Sequence, residues 1–151
     1  MASRAICMIA YANYYTDARI KNYVDALVKN GFEVDVFALG SSEEEHPPGV
    51  RVYSLSEKHA GGGVAGLVLA QASFFARVTF LVGRHHLRRR YRLVHVHNMP
   101  DAIVFCGLVP KLAGAGLILD VHDTMPEAYV RIDRRVRKRQ LANKGRGSYR
   151  A

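Results

Sequence analysis

The sequence contains little cysteine: Cys7 and Cys106 are the only two in 151 residues. Two cysteines cannot form the disulfide framework of a small secreted domain. Each lies in an apolar run, which predicts two buried free thiols. A secretory signal is also lacking, because the apolar run that follows Arg4 breaks at Asn13. We therefore expect this chain in the reducing cytoplasm.

Net positive charge is nearly absent from most of the chain. The net charge of +9 would suit a nucleic-acid-binding protein, but residues 130–151 contain nine Lys or Arg and one acid, Asp133. That segment carries +8, which leaves +1 for residues 1–129. We interpret residues 1–129 as one globular domain and residues 130–151 as a basic, disordered tail. Nucleic acid is not expected as the main partner; RNA or anionic lipid on the tail is the alternative.

A dinucleotide site is not expected, although residues 61–66 satisfy the pattern G-x-G-x-x-G. Such a site needs the pattern directly after a strand and an acidic residue about 20 positions further on. Several polar residues separate these glycines from the preceding strand, and no Asp or Glu occurs between Glu57 and Asp101. We interpret the glycines as a loop.

Strand patterns and helix patterns alternate along the chain. Strands are predicted at residues 5–10, 33–39, 50–55, 92–96 and 117–121, and helices at 18–30, 64–83 and 100–113. Pro110 should kink or shorten the last helix. The third, fourth and fifth strands are mainly apolar, as expected when helices cover both faces of a sheet. The order predicts a single-domain α/β fold with a doubly wound parallel sheet.

Polar residues follow three of the predicted strands, where this fold binds its ligands. They are Tyr14, Tyr15, Asp17 and Arg19 after the first strand, His97, Asn98 and Asp101 after the fourth, and His122, Asp123 and Glu127 after the fifth. Hydroxyl, imidazole, amide and carboxylate groups suit a polyhydroxylated ligand such as a sugar. The sequence therefore predicts a sugar-binding cleft at this edge of the sheet.

Several of these residues also have a structural interpretation. Asp17 and Asn98 each precede a predicted helix and can cap it. His95 and His97 lie two apart on one strand, so their side chains face the same side. We interpret His95 as the deeper of the two, a core histidine with its hydrogen bonds satisfied. His97 and His122 lie at strand ends, where a role in binding is more plausible.

A metal site is a further alternative. His97, Asp120 and His122 could converge from neighbouring strands, and imidazole with carboxylate suits zinc or manganese. No pair of ligands at helical spacing accompanies them. The preferred interpretation of these residues is a site without metal.

Two pairs of segments resemble a known family. Residues 14–19 with 26–36 resemble the opening of family 4 glycosyltransferases, and residues 95–101 with 119–127 resemble later segments of the same domain. The similarity covers about residues 4–129. It implies the first half of a GT-B fold, a Rossmann-like domain that binds the acceptor.

The resemblance also implies a reaction. In that family a second domain binds a nucleotide-sugar, and the transfer retains the anomeric configuration and needs no metal or other cofactor. The position of His122 implies a catalytic residue beside the reacting sugar. The segment from Tyr14 to Arg19 would face the donor phosphates or the acceptor. Many relatives have a glycine pair where this chain has Tyr14 and Tyr15.

The chain departs from the family after Glu127, because the donor-binding domain is absent from the sequence. We expect a truncated or split glycosyltransferase, competent only when a partner chain supplies that domain. Its acceptor would be a glycan or a lipid-linked sugar. A non-catalytic module that binds a sugar or a partner is the alternative.

Membrane contact is a separate question. Residues 64–83 have the length of a membrane span, with Arg77 as their one charged residue, and a basic cluster follows at residues 84–92. Polar residues interrupt the stretch, and the fold needs a covering helix at this point. We therefore favour contact of this helix with the membrane surface over a membrane span. Such contact would place the chain at the inner face of the membrane.

Overall fold

The computed structural model describes residues 3–40, 46–55, 63–97 and 101–121, in which strands and helices alternate. The elements are β1 (Ala5–Asn13), α1 (Ala18–Lys29), β2 (Glu33–Leu39), β3 (Val50–Ser54), α2 (Gly63–Arg89), β4 (Leu93–His97), a 3₁₀ segment (Asp101–Gly107), α3 (Leu108–Leu112) and β5 (Gly116–Asp120). This order confirms the predicted α/β class.

The described strands form one parallel sheet in the order β3-β2-β1-β4-β5. Met8 of β1 pairs with Val36 of β2 on one side and with His95 of β4 on the other. Further along β4, His97 pairs with Asp120 of β5. The chain therefore builds outwards from β1 to the β3 edge and then crosses back to β4, as in a doubly wound fold.

Helix α2 and the 3₁₀ segment cover one face of the sheet. Phe74, Val78 and Val82 of α2 are buried in one core with Cys7 and Cys106. Both cysteines are free and buried, which confirms the prediction made from their apolar surroundings. Burial raises the pKa of each thiol, so both stay protonated at neutral pH.

Helix α1 covers the opposite face over β1 and β2. Ile20 and Val24 pack there against the inward residues of both strands. This same face is more open over β4 and β5, where Ile118 on β5 is 47% exposed. The side chains that share the open part of the face include His95, His97 and Asp120, which alternate with core residues along their strands.

Helix α2 differs from the predicted element. It begins at Gly63 and continues to Arg89, whereas the sequence predicted a glycine-rich loop over residues 61–66 and a helix ending at residue 83. The interpretation of Gly63 and Gly66 as loop residues was wrong. Burial of one side of α2 against the sheet outweighs the roughly 1 kcal/mol helix penalty of each glycine.

The third predicted helix is divided into two parts. A 3₁₀ segment over Asp101–Gly107 precedes the short helix α3 over Leu108–Leu112. Pro110 is the third residue of α3 and lies in its first turn. Backbone N–H groups in a first turn have no partner within the helix, so the missing N–H of proline is tolerated there.

Two alternatives from the sequence bear on the fold. Strand β3, which precedes the glycine-rich segment, lies at the edge of the sheet. It is away from β1 and β4, between which the strand order reverses, and this position argues against a dinucleotide site there.

In the part of the chain that the structure describes, no helix has both the length and the hydropathy needed to cross a membrane.

Candidate functional site

The candidate site lies at the carboxyl ends of β1 and β4. These two strands are neighbours, yet the chain runs from β1 to β2 in one direction and from β4 to β5 in the other. Strand order reverses between them, and open α/β sheets bind ligands outside such a reversal. The strands end at Asn13 and His97, which therefore mark the edge where a ligand is expected.

Asn13 forms the turn that leads from β1 into α1. Its carbonyl accepts hydrogen bonds from the backbone N–H of Thr16 at 3.3 Å and of Asp17 at 3.1 Å. Its side-chain oxygen accepts another from the N–H of Tyr15 at 2.9 Å. These bonds fix where α1 begins and place Asp17 at the edge of the sheet.

Tyr14 and Tyr15 lie in different surroundings. Tyr14 is 5% exposed and belongs to the core under α1. Tyr15 stacks on the ring of His46, with centroids 5.8 Å apart, and its hydroxyl is 3.3 Å from His46 Nε2. Both side chains thus help to hold the turn after β1. Their contact with a substrate stays a prediction.

Asp17 caps helix α1, as its position in the sequence predicted. Its Oδ1 accepts hydrogen bonds from the backbone N–H of Arg19 at 3.0 Å and of Ile20 at 3.4 Å. The side chain of Arg19 is 51% exposed, and its guanidinium reaches Asp17 Oδ2 at 3.4 Å. A shallow depression of about 390 Å³ adjoins this pair, lined by Ala12, Asn13, Thr16, Asp17, Ala18 and Arg19.

His97 lies in a cluster of rings beside this turn. Its ring centroid is 3.9 Å from that of His95 and 5.4 Å from that of Tyr23 on α1. Its Nδ1 is 3.4 Å from Asp120 Oδ2 on the neighbouring strand. His97 is 1% exposed while His95 is partly exposed, so the prediction that His95 is the deeper histidine was wrong. Tyr23 and Asp120 lie against the end of β4, where His97 is.

Burial controls the charge of both imidazoles. It lowers the pKa of His97 to about 4, and the neighbouring His95 acts in the same direction. The carboxylates of Asp120 and Asp17 oppose this shift. Burial also lowers the pKa of His95, against the effect of Asp120. Both rings are therefore neutral at pH 7, each with one nitrogen lone pair available as an acceptor.

The remaining predicted site residues are placed as follows. Asp101 is exposed and is the first residue of the 3₁₀ segment that follows β4. Asn98, His122, Asp123 and Glu127 lie outside the described residues. The structure thus brings Asp17, Arg19 and His97 to one edge of the sheet.

Sequence reasoning missed Tyr23 and gave His95 the wrong surroundings. The signal for His95 was present, because a residue two positions from His97 on a strand must share its face. Tyr23 is 42% exposed, and its ring lies 5.2 Å from that of His95. No local pattern could reveal that contact, since it depends on where α1 crosses the sheet.

A second, larger depression of about 670 Å³ lies at the amino ends of β1 and β4. Its lining includes Ser3, His86, Arg88, Arg90 and Ala115. The amino edge of a parallel sheet is not where this fold binds its ligands. Its size alone therefore does not make it the candidate site.

The parallel sheet, its strand order and its helices on both faces define a Rossmann-like α/β domain. The chain belongs to the glycosyl transferase 4-like domain family, whose sequence profile matches residues 16–147. This result confirms the resemblance to family 4 glycosyltransferases. Comparison with curated proteins gives no match.

Solved structures of similar fold include the C-terminal domain of a hydrogenase from Pyrococcus furiosus and sucrose-phosphate synthase from Thermosynechococcus elongatus. The hydrogenase domain is 14% identical with a TM-score of 0.59, covering 80% of this chain and 93% of that chain. The synthase is 15% identical with a TM-score of 0.56, covering 79% of this chain and 33% of that chain. This chain therefore spans about a third of the synthase, and such identities show the fold alone.

Proposed function

We propose that this domain is the acceptor-binding half of a retaining glycosyltransferase. The complete enzyme would move a sugar from a nucleotide-sugar to a glycan or a lipid-linked acceptor, in the cytoplasm. A second domain, on a partner chain or a longer product, would bind the donor. In this proposal the transfer itself uses no metal ion.

One observation carries the proposal: Asp17 and Arg19 line a depression at the strand-order reversal of a domain in a glycosyltransferase family. The guanidinium donates hydrogen bonds and the carboxylate accepts them. A sugar presents hydroxyl groups of both kinds. The surface is polar and shallow, which suits a ligand that another domain would cover.

The proposed contribution of this half is positioning. Holding an acceptor hydroxyl in line with the anomeric carbon of the donor removes much of the entropic barrier. Arg19 and Asp17 would orient the acceptor, together with Asn98 and Asp101. His122 would contact the transferred sugar and is the proposed catalytic residue. In a reconstituted two-domain enzyme, His122→Ala would abolish transfer while leaving the fold intact by circular dichroism.

Binding of the acceptor can be tested on the chain alone with an array of immobilised oligosaccharides and a polyprenyl-phosphate-linked sugar. Arg19→Ala should weaken the binding of any captured glycan roughly 10- to 100-fold, because hydrogen bonds from charged groups contribute about 1.5–3 kcal/mol. Lys29→Ala is the matched control, since Lys29 is an exposed cation at the other end of α1. Equal losses in both variants would count against the site.

Donor binding is the complementary measurement. Calorimetry with UDP-glucose and GDP-mannose should show no heat of binding to this chain, because the proposal assigns the donor to a second domain. Micromolar binding of either nucleotide-sugar would contradict that division. A chain that captures glycans but supports no transfer with any donor domain would instead be a non-catalytic sugar-binding module.

Contact with a membrane surface is a second proposed property, supported by helix α2. Phe80 and Leu87 are 66% and 78% exposed, and Arg84 and Arg88 are exposed at adjacent helical positions. Apolar side chains flanked by arginines are typical of interfacial helices. Such contact would hold the domain beside a lipid-linked acceptor.

A further inference from the structure

Three potential metal ligands share the open face of the sheet. His95 and His97 lie two residues apart on β4, and Asp120 is the residue of β5 that pairs with His97. One ligand atom from each of the three lies within 4.8 Å of the other two. The two strands therefore bring two imidazoles and one carboxylate together without any contribution from a loop.

One of the three separations matches that expected around a bound ion. A tetrahedral ion with bonds of about 2.0–2.1 Å sets its ligand atoms about 3.4 Å apart. His97 Nδ1 and Asp120 Oδ2 are already 3.4 Å apart. Asp120 and His95 are both partly exposed, so rotation of their side chains can close the remaining distance.

We propose that His95, His97 and Asp120 form a binding site for a divalent transition metal ion, with zinc the best match. Two imidazoles with one carboxylate favour zinc, cobalt or nickel over magnesium or calcium, which prefer oxygen ligands. Three protein ligands leave a position open for water or another oxygen ligand. The site differs from the alternative considered from sequence, because His95 takes the place of His122. It concerns metal binding alone and does not rest on the proposed function.

The ion would join β4 to β5 on the face of the sheet opposite α2. Tyr23 lies against both imidazoles, with ring centroids 5.2 Å and 5.4 Å away, and shields that side of the cluster. Solvent would reach the ion past Asp120, whose side chain is 20% exposed.

Titration of the chelator-treated full chain with Co²⁺ tests the proposal, because tetrahedral Co²⁺ absorbs visible light strongly. One Co²⁺ should bind per chain and be displaced by Zn²⁺ but not by Mg²⁺. His95→Ala and Asp120→Asn should each weaken binding at least about 10-fold. His85→Ala is the matched control, since His85 packs on Phe37 and Tyr53 at the other face of the sheet.

Circular dichroism of each variant shows whether it folds, which matters most for the buried His97→Ala. Folded His95→Ala and Asp120→Asn that bind Co²⁺ as tightly as the unchanged chain would overturn the proposal. Absence of the cobalt absorption in the folded, unchanged chain would overturn it as well. Neither result would bear on glycan capture, so failure of this proposal is distinguishable from failure of the proposed function.

Discussion

At the scale of single residues, Asp35 is the one buried acidic side chain in the described part of the chain. It is 1% exposed on β2 and accepts a hydrogen bond from the hydroxyl of Tyr91 at 2.6 Å. The Nε of Arg89 lies 3.2 Å from the same oxygen, and Arg89 also pairs with Glu33. Burial raises the pKa of Asp35, and Tyr91 and Arg89 oppose the rise only in part.

This shift predicts how stability depends on pH. Because the pKa is raised above its ordinary value of 3.8, the folded chain binds a proton on Asp35 more tightly than the unfolded chain does. The contribution of Asp35 to stability is therefore greatest below pH 3.8 and falls as the pH rises above that value, until the folded carboxyl has ionised. Asp35→Asn should remove this decline, as measured by urea unfolding between about pH 4 and pH 7.

Tyr91→Phe is the companion variant. It removes a hydrogen bond that favours the charged carboxylate, so the decline should extend to higher pH. At neutral pH we expect a loss of about 1 kcal/mol, because the buried oxygen loses one hydrogen bond while Arg89 remains beside it. A pH profile for Tyr91→Phe that matches the unchanged chain would contradict this account of Asp35.

At the scale of secondary structure, two glycines show how local and tertiary forces compete. Gly83 lies within α2, and a Cβ there would meet Val109 at an ordinary contact distance of 3.6 Å. Gly107 precedes α3, and a Cβ there would lie 2.7 Å from Leu117 Cδ1 and 3.2 Å from Val94 Cγ1. The same substitution should therefore have opposite effects at the two positions.

Gly83→Ala should stabilise the domain by about 0.5–1 kcal/mol, because alanine loses less backbone entropy in a helix. Gly107→Ala should destabilise it by about 1–3 kcal/mol through overpacking against β4 and β5. Thermal unfolding followed by circular dichroism measures both. If the two variants shifted the melting temperature in the same direction, the close packing of Gly107 on the sheet would be refuted.

Element types were predictable from sequence where local signals agree. Asp17 and Gly31 bracket α1, with Asp17 as its N-cap and Gly31 at a φ of +75°, and the predicted helix ends one residue from the observed Lys29. The limits of α2 were not predictable. Its first turn contains glycines, which disfavour a helix, and it continues beyond Gly83 to Arg89.

At the scale of the whole molecule, the exposed side chains of α2 predict binding to anionic membranes. The chain should sediment with vesicles of phosphatidylglycerol and phosphatidylcholine more than with phosphatidylcholine alone, and less so at high salt. The double variant Phe80→Ser with Leu87→Ser should bind several-fold more weakly, because it removes apolar area from the interface.

Ile118→Ser is the matched control, since Ile118 is also exposed but lies on the opposite face of the sheet. Deletion of residues 130–151 separates the contribution of the basic tail. If deletion abolishes binding while the α2 double variant binds normally, the membrane contact belongs to the tail and the role proposed for α2 is wrong.

The amino-acid sequence by itself determined the alternation of strands and helices, the cap at Asp17, the buried cysteines and the polar ends of β1 and β4. These features follow from side-chain periodicity and capping chemistry, which act over a few neighbouring residues. Only the tertiary structure decided that His97 is buried, that Asp120 lies beside it and that Tyr23 packs on both histidines. The register between β4 and β5 and the crossing of α1 over the sheet produce these contacts, and both depend on packing between residues distant in sequence.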